Sequence, residues 1–272
     1  MSGQTDIRQR PELDVALAAA REGGEVLMGF FGRLDASRID RKSSMRDLVT
    51  EADVAAERCL VARLREAFPG HAIESEEEVR DVQDGRPRWF LDPLDGTVNF
   101  VHGLPLFAVS MGLYVNGLPQ LAVVHAPRLQ ETFYALSGSG AFLESEDGPP
   151  VRLSVSPTRE LSEAILATGF PYRRGELEHD NLANFQELFY SVRGLRRMGS
   201  AAIDLAYTAA GRFDAFWELH LAPHDVAAGA LLVREAGGIV TDFQGGEDWL
   251  RGGRIVAGGP QLHPVLRARL RG

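Results

Sequence analysis

Apolar residues recur along the chain in two rhythms, and the switches between them mark out the elements. From Pro11 to Phe31, Leu13, Leu17, Ala20, Leu27, Met28 and Phe31 return at near-helical spacing, which predicts a helix. Pro11 suits its first turn, Gly32 suits its stop, and Gly23-Gly24 weakens its middle. Ile39 to Val49 is polar and predicts a loop. A second helix is predicted from about Asp53 to Phe68, with Leu60, Leu64 and Phe68 on one face and Thr50 or Asp53 as cap. His71-Ala72-Ile73 reads as a short strand. Trp89-Phe90-Leu91 is an apolar, strand-type run that Pro93, lacking an amide hydrogen, is expected to end.

Strand patterning then dominates. Phe107 to Tyr114 and Leu118 to His125 predict antiparallel strands around Val115-Asn116-Gly117, because Asn-Gly favours tight hairpin turns. Glu131 to Leu136 and Gly140 to Leu143 continue the sheet. Further strands are expected at Ala164–Thr168, Phe213–Trp217, Ile239–Thr241 and Ile255–Ala257. Helices are expected at Asn181–Val192, at the small-residue stretch Ser200–Ala210, from Asp225 to Gly237, and at Pro264–Leu270. No internal repeat interrupts this mixture, which predicts layered α/β packing. The break at Pro157 to Leu161 separates expected subdomains 1–156 and 157–272 of a single catalytic domain, 1–272.

Composition narrows the function. The chain has 272 residues, 44% of them hydrophobic, enough for a large core. A formal net charge of −9 disfavours a nucleic-acid binder, since phosphate backbones select for lysine and arginine excess. The polar start, Met1 to Arg10, has no apolar signal core, and no apolar run approaches the ~20 residues of a membrane span. A cytoplasmic protein with no membrane partner is expected. The lone Cys59 forms no intrachain disulfide.

The chemistry-bearing stretch is Trp89 to Phe100. Asp92 stands at the strand's end, and Asp95-Gly96 makes a turn in which glycine allows close backbone approach to a ligand. A helix starting near Thr97 would point free amides toward the same place. One turn could thus offer carboxylates to a cation and amides to an anion, as a metal-bound phosphate requires. Asp-Gly-Thr alone is weak evidence, because Asp-Gly is common in turns. Three other acidic stretches fit the same chemistry. Glu74, Glu76, Glu77 and Glu78 follow a strand that would aim one of them into a cleft, although such runs are usually solvated patches. Asp225 opens a helix, where the plain reading is an N-cap. Asp53 sits near the start of another.

Together these stretches resemble the inositol monophosphatase family of Mg-dependent, lithium-sensitive sugar-phosphate phosphatases. The resemblance runs through Asp47-Leu48-Val49-Thr50-Glu51-Ala52-Asp53, Ser75-Glu76-Glu77, Trp89 to His102, and Asp225 to Asp242. It implies an αβαβα sandwich, usually dimeric, so a homodimer is expected. It also implies that Glu76, Asp92, Asp95, Asp225 and the Leu94 carbonyl are metal ligands. By the same resemblance Gly96 and Thr97 supply phosphate-binding amides, Asp53 and Thr97 orient the attacking water, and Ala201 and Glu218 contact the polyol. Glu76, Thr97 and Asp53 are thereby the expected catalytic residues. Ser75 where the family usually has glycine, and the flanking acids, leave Glu76 and Glu77 as alternatives. His224 stands where tryptophan is usual, and the Leu221-Ala222-Pro223 approach is unusual, so the substrate is open.

Three carboxylates roughly 4 Å apart repel by ~4 kcal/mol per pair at an effective dielectric near 20, so they must hold protons or cations. An all-oxygen donor set favours Mg²⁺, or Mn²⁺, at two or three positions, with Asp92 able to bridge two ions. The expected activity is hydrolysis of a small phosphorylated polyol or sugar, inositol 1-monophosphate, by a metal-activated water. Alternatives are fructose 1,6-bisphosphate, histidinol phosphate, phosphoadenosine phosphate or NADP as substrate. A haloacid-dehalogenase-type phosphatase fits less well, because its two aspartates stand two residues apart and here they stand three apart. A non-catalytic regulatory binding module on the same scaffold is the remaining alternative.

Overall fold

Alternation along Arg88–Asp95 decides how the layers stack: Trp89 and Leu91 face one core and Phe90 faces another. The structure is a computed structural model that describes residues 11–34, 39–41, 48–145 and 148–272. Lys42 and Asp47 lie outside the described residues. A seven-stranded sheet follows the chain order β3 (Ala72–Ser75), β4 (Arg88–Asp95), β5 (Ala108–Val115), β6 (Leu118–Ala126), β7 (Glu131–Leu136), β8 (Gly140–Ser145) and β9 (Val151–Arg152). Only β3 and β4 pair in parallel; every later neighbour is antiparallel. The β5–β6 turn has both Asn116 and Gly117 at positive φ, the hairpin geometry predicted for Asn-Gly.

Helices α1 (Pro11–Phe30) and α2 (Glu51–Ala67) cover the Trp89 face. Gly23-Gly24 does not break α1; both glycines are buried, and a side chain at 24 would strike His125 of β6. The polar stretch predicted as a loop holds two short strands, β1 (Ile39–Arg41) and β2 (Leu48–Thr50), paired antiparallel. Each strand is only three residues long, Ile-Asp-Arg and Leu-Val-Thr, too short for a period to show in the sequence.

On the Phe90 face lie α5 (Ala201–Ala209) and α6 (Pro223–Glu235), whose alanines let them pack closely between the two sheets. The second sheet has five strands in the order β11 (Gly194–Arg196), β10 (Ile165–Thr168), β12 (Ala215–Leu219), β14 (Arg254–Gly258), β13 (Ile239–Thr241). Its outer face packs against Leu188 of α4 (Leu182–Phe189) and Leu262 and Leu266 of α7 (Leu262–Arg267). Helix, sheet, helix, sheet, helix: this is the αβαβα sandwich.

Boundary differences are local. The helix predicted to Val192 stops at Phe189. β12 runs two residues further than predicted, so Glu218 lies inside the strand rather than after it. No helix among the described residues is long and apolar enough to cross a membrane.

Candidate active site

Pro93 does not end β4. Asp92 pairs with Ser110 of β5 and Asp95 pairs with Ala108, so three steps on one strand oppose two on the other. Pro93 lies inside this bulge, where the ladder is interrupted in any case. Asp92 Oδ1 accepts a hydrogen bond from the Leu94 amide at 3.0 Å, which fixes its direction. Gly96 follows with φ 97°, and a Cβ there would stand 2.8 Å from the Leu106 carbonyl oxygen, so the turn requires glycine. Thr97 opens a five-residue helix, α3 (Thr97–Val101).

Three helix starts converge on this turn. At α2, Thr50 is the N-cap; Asp53 is not the cap but the third helical residue, reaching back to accept from the Thr50 amide at 2.8 Å and hydroxyl at 2.6 Å. The other oxygen of Asp53 accepts from Thr97 Oγ1 at 3.1 Å, and Leu94 O lies 3.2 Å from the same hydroxyl. At α6, Ala222 holds the cap position and Pro223 the first helical one, so Asp225 is also a third helical residue, accepting from the Ala222 amide at 2.6 Å. The N-cap reading of Asp225 is thereby corrected: a residue three positions in can point its second oxygen outward. At α5, the cap Ser200 donates to Asp95 Oδ2 at 2.6 Å, and the Ala202 amide donates to the same oxygen at 2.6 Å.

Asp92, Asp95 and Asp225 each bring an oxygen within 4.8 Å of the others. Asp92 is 1% exposed and Asp95 9%. Burial first, then the charges of Glu76, Asp95 and Asp225, push the Asp92 carboxyl far above the usual carboxylate range. Asp95 is pushed up to about 7 by burial and by Asp225, against the pull of its Ser200 and Ala202 donors. Of the two candidate glutamates, Glu76 faces the aspartates and shares a hydrogen bond with Asp92. Without cations, such a cluster holds protons it would lose in water. The donors are all carboxylate oxygens, and the set fits a hard divalent cation.

The cluster floors a cavity of about 440 Å³, whose walls include Tyr172, Arg197, Ala201, Glu218 and His224. Glu218 is buried in β12, and a side chain at 169 would overlap its carboxylate, so Gly169 makes room for it. Burial pushes Glu218 up to about 8, with Arg197 opposing and Asp225 and Asp95 adding to the shift. Of the residues singled out in the sequence, Glu76, Asp95, Ala201, Glu218, His224 and Asp225 line this cavity; Asp92 meets Asp95 and Asp225, and Asp53 bonds to Thr97 beside Leu94.

Two residues escaped the sequence reading. Glu57, 1% exposed on α2, accepts from Ser75 Oγ at 2.5 Å and from the amides of Glu77 (3.0 Å), Glu78 (2.8 Å) and Val79 (3.1 Å). It ties down the turn that carries Glu76. Asp204 lies buried in α5 beside the cavity. The available signal was the same for both: an acid inside an apolar helical pattern, as Glu57 shares the face of Leu60 and Leu64.

A pH dependence follows from these shifts. A carboxyl whose folded pKa is raised favours the fold below its unfolded value, near 4, and loses that contribution as pH climbs through the folded value. For Asp95 and Glu218 the window is pH 4 to 8. A metal held by the cluster would need Asp95 deprotonated, so its stabilisation would grow as pH climbs toward 7. The gap in Tm between Mg²⁺-loaded and chelated protein should widen by roughly 5 °C or more between pH 5.5 and 8. A constant gap in differential scanning would contradict the assignment.

Known proteins share this frame. The sequence model of the inositol monophosphatase family matches residues 8–271. Nus factor SuhB of Pseudomonas aeruginosa is 46% identical over 264 residues, 94% of each chain. The crystal structure of the extragenic suppressor protein suhB from Bartonella henselae superposes with a TM-score of 0.87 at 39% identity, covering 95% of this chain and 97% of that one. An inositol monophosphatase from Anabaena (Nostoc) gives 0.84 at 39% identity, covering 95% and 94%. A match of this extent, on a fold that gathers the carboxylates at one cavity, places the chain in the inositol monophosphatase family, a family of metal-dependent phosphatases.

Proposed function

We propose that the protein is a Mg²⁺-dependent phosphomonoesterase that converts inositol 1-monophosphate, or a closely similar polyol phosphate, to the alcohol and phosphate. The carrying observation is the gathering of Asp92, Asp95 and Asp225 within 4.8 Å beside Glu76 and the Asp53–Thr97 pair. Glu76, Asp92, Asp95, Asp225 and the Leu94 carbonyl would hold the metal. When bound, divalent cations would supply positive charge to the phosphate and acidify a water molecule. Thr97 Oγ1 donates a hydrogen bond to Asp53 Oδ1 and keeps lone pairs that can orient the attacking water. The Gly96 and Thr97 amides, beside the carboxylates, are suited to phosphate oxygens. The Ala201 amide and the Glu218 carboxylate are suited to hydroxyls of the leaving alcohol. The Glu218 acceptor favours a polyol over fructose 1,6-bisphosphate, phosphoadenosine phosphate or NADP, whose further phosphates would meet the carboxyl groups of Glu218 and Asp204 on that wall. The Pseudomonas relative bears the name of a Nus factor rather than of a phosphatase. A regulatory use of the scaffold is therefore the second reading, and the carboxylate set is what ranks it behind the enzyme.

Phosphate release decides between them. Turnover of inositol 1-phosphate should vanish in chelator and return with Mg²⁺ but not with Ca²⁺, whose looser coordination suits in-line attack badly. Full activity in chelator, or no release from any member of the substrate panel with Mg²⁺, would overturn the reading.

A further inference from the structure

Beyond the metal carboxylates, the cavity has a second acidic wall. Asp204 stands in the first turn of α5 and lines the cavity with Glu218 and Arg197. It is 1% exposed, and its Oδ1 has no hydrogen-bond partner among the described residues. A buried carboxyl oxygen without a donor is rare in a folded chain. After burial, the charge of Glu218 acts most strongly on Asp204, and Arg197 favours the ionised form of both. The wall therefore already has a cation, and Asp204 Oδ1 still lacks a donor.

We propose that Asp204 is a specificity-determining residue, binding with Glu218 the hydroxyl groups of an uncharged polyol in the leaving alcohol. The inference rests on the phosphatase reading above. A second phosphate would face two carboxyl groups here, and an ammonium would be set beside Arg197. Hydroxyls alone satisfy the acceptors without either conflict.

The test compares Asp204→Asn with wild type on inositol 1-phosphate and p-nitrophenyl phosphate at saturating Mg²⁺, with Tm measured on the same preparations. The variant keeps the shape but turns an acceptor toward a donor. KM for inositol phosphate should rise about tenfold or more, with kcat changed less and p-nitrophenyl phosphate within about twofold. Tm should change little, because the amide has the same shape and the same number of buried polar atoms as the carboxyl group it replaces. Equal losses on both substrates, or none on either, would overturn the role. Cyclohexyl phosphate, a ring without hydroxyls, supplies a measurement on wild type alone. Its kcat/KM should be at least about tenfold below that of inositol phosphate. Parity between them, or a preference for histidinol phosphate, would overturn the polyol assignment. If wild type cleaves no phosphate ester at all, the phosphatase reading fails, and calorimetric binding of inositol still reads Asp204. Binding weakened in the variant supports the role, and equal binding removes it.

Discussion

Asp92→Asn is expected to abolish turnover and leave the fold intact. Asp92 is the most enclosed member of the cluster, and three neighbouring acids raise its proton affinity. The amide keeps the side chain's shape and its Oδ1 acceptor for the Leu94 amide. It removes one negative charge from a site proposed to share that charge between cations. A fall in kcat of at least about a thousandfold is expected, about 4 kcal/mol of barrier. The metal-free variant should melt no lower than metal-free wild type, because like-charge repulsion is reduced. Its gain in Tm on adding Mg²⁺ should shrink or disappear. Near wild-type turnover at saturating Mg²⁺ would rule out Asp92 as a shared ligand.

Glu57→Ala should damage the site without touching it. One carboxylate receives four donors, and hydrogen bonds to a charged group are worth about 1.5–3 kcal/mol each at the upper end of the range. Their loss leaves buried amides unpaired, so a destabilisation of about 3 kcal/mol or more is expected, read as a lower Tm or denaturant midpoint. The turn at Ser75–Val79 then no longer fixes Glu76 against Asp92. Mg²⁺ affinity should fall roughly ten- to a hundredfold, as for other residues that orient a ligand from behind. Glu57→Gln serves as the milder companion, keeping the volume while turning an amide group toward donors. Unchanged Mg²⁺ affinity in both variants would mean that the turn holds its shape by other contacts.

The parts of the molecule legible in the sequence are those where one local signal dominates. Asn116-Gly117 announced its hairpin because few other residues tolerate two positive φ values in succession. Leu60 and Leu64 announced α2 by their spacing. The pairing of β1 with β2 stayed hidden, since each strand is only three residues long, too short for a period to show. Asp225 was legible as a helix-start residue, but its place at the third position depends on Pro223 and on a bond to the Ala222 amide. Sequence left Glu76 and Glu77 as alternatives because both are acids on one turn. In the structure Glu76 bonds to Asp92 and lines the cavity, and Glu57 holds the backbone of the same turn through the Glu77 amide. Glu57 and Asp204 were missed because a single acid in a helix reads as a solvated position unless its face is mapped first.

The bulge in β4 changes what the spacing of the two aspartates means. In a regular strand, residues three apart point to opposite faces, and residues two apart point to the same face. The extra residue between Asp92 and Asp95 absorbs one step of the pleat, so both carboxylates reach the same cluster. An aspartate pair two apart on a flat strand and one three apart on a bulged strand are thus two spellings of one geometry. The spacing is information about backbone register before it is information about reaction type. It follows that the motif is not portable by itself. Grafted onto an unbulged strand, Asp-Pro-Leu-Asp would send its second carboxylate into the opposite core, while a one-residue deletion at Pro93 would remove the bulge and leave the two aspartates two apart on a regular strand, still on one face.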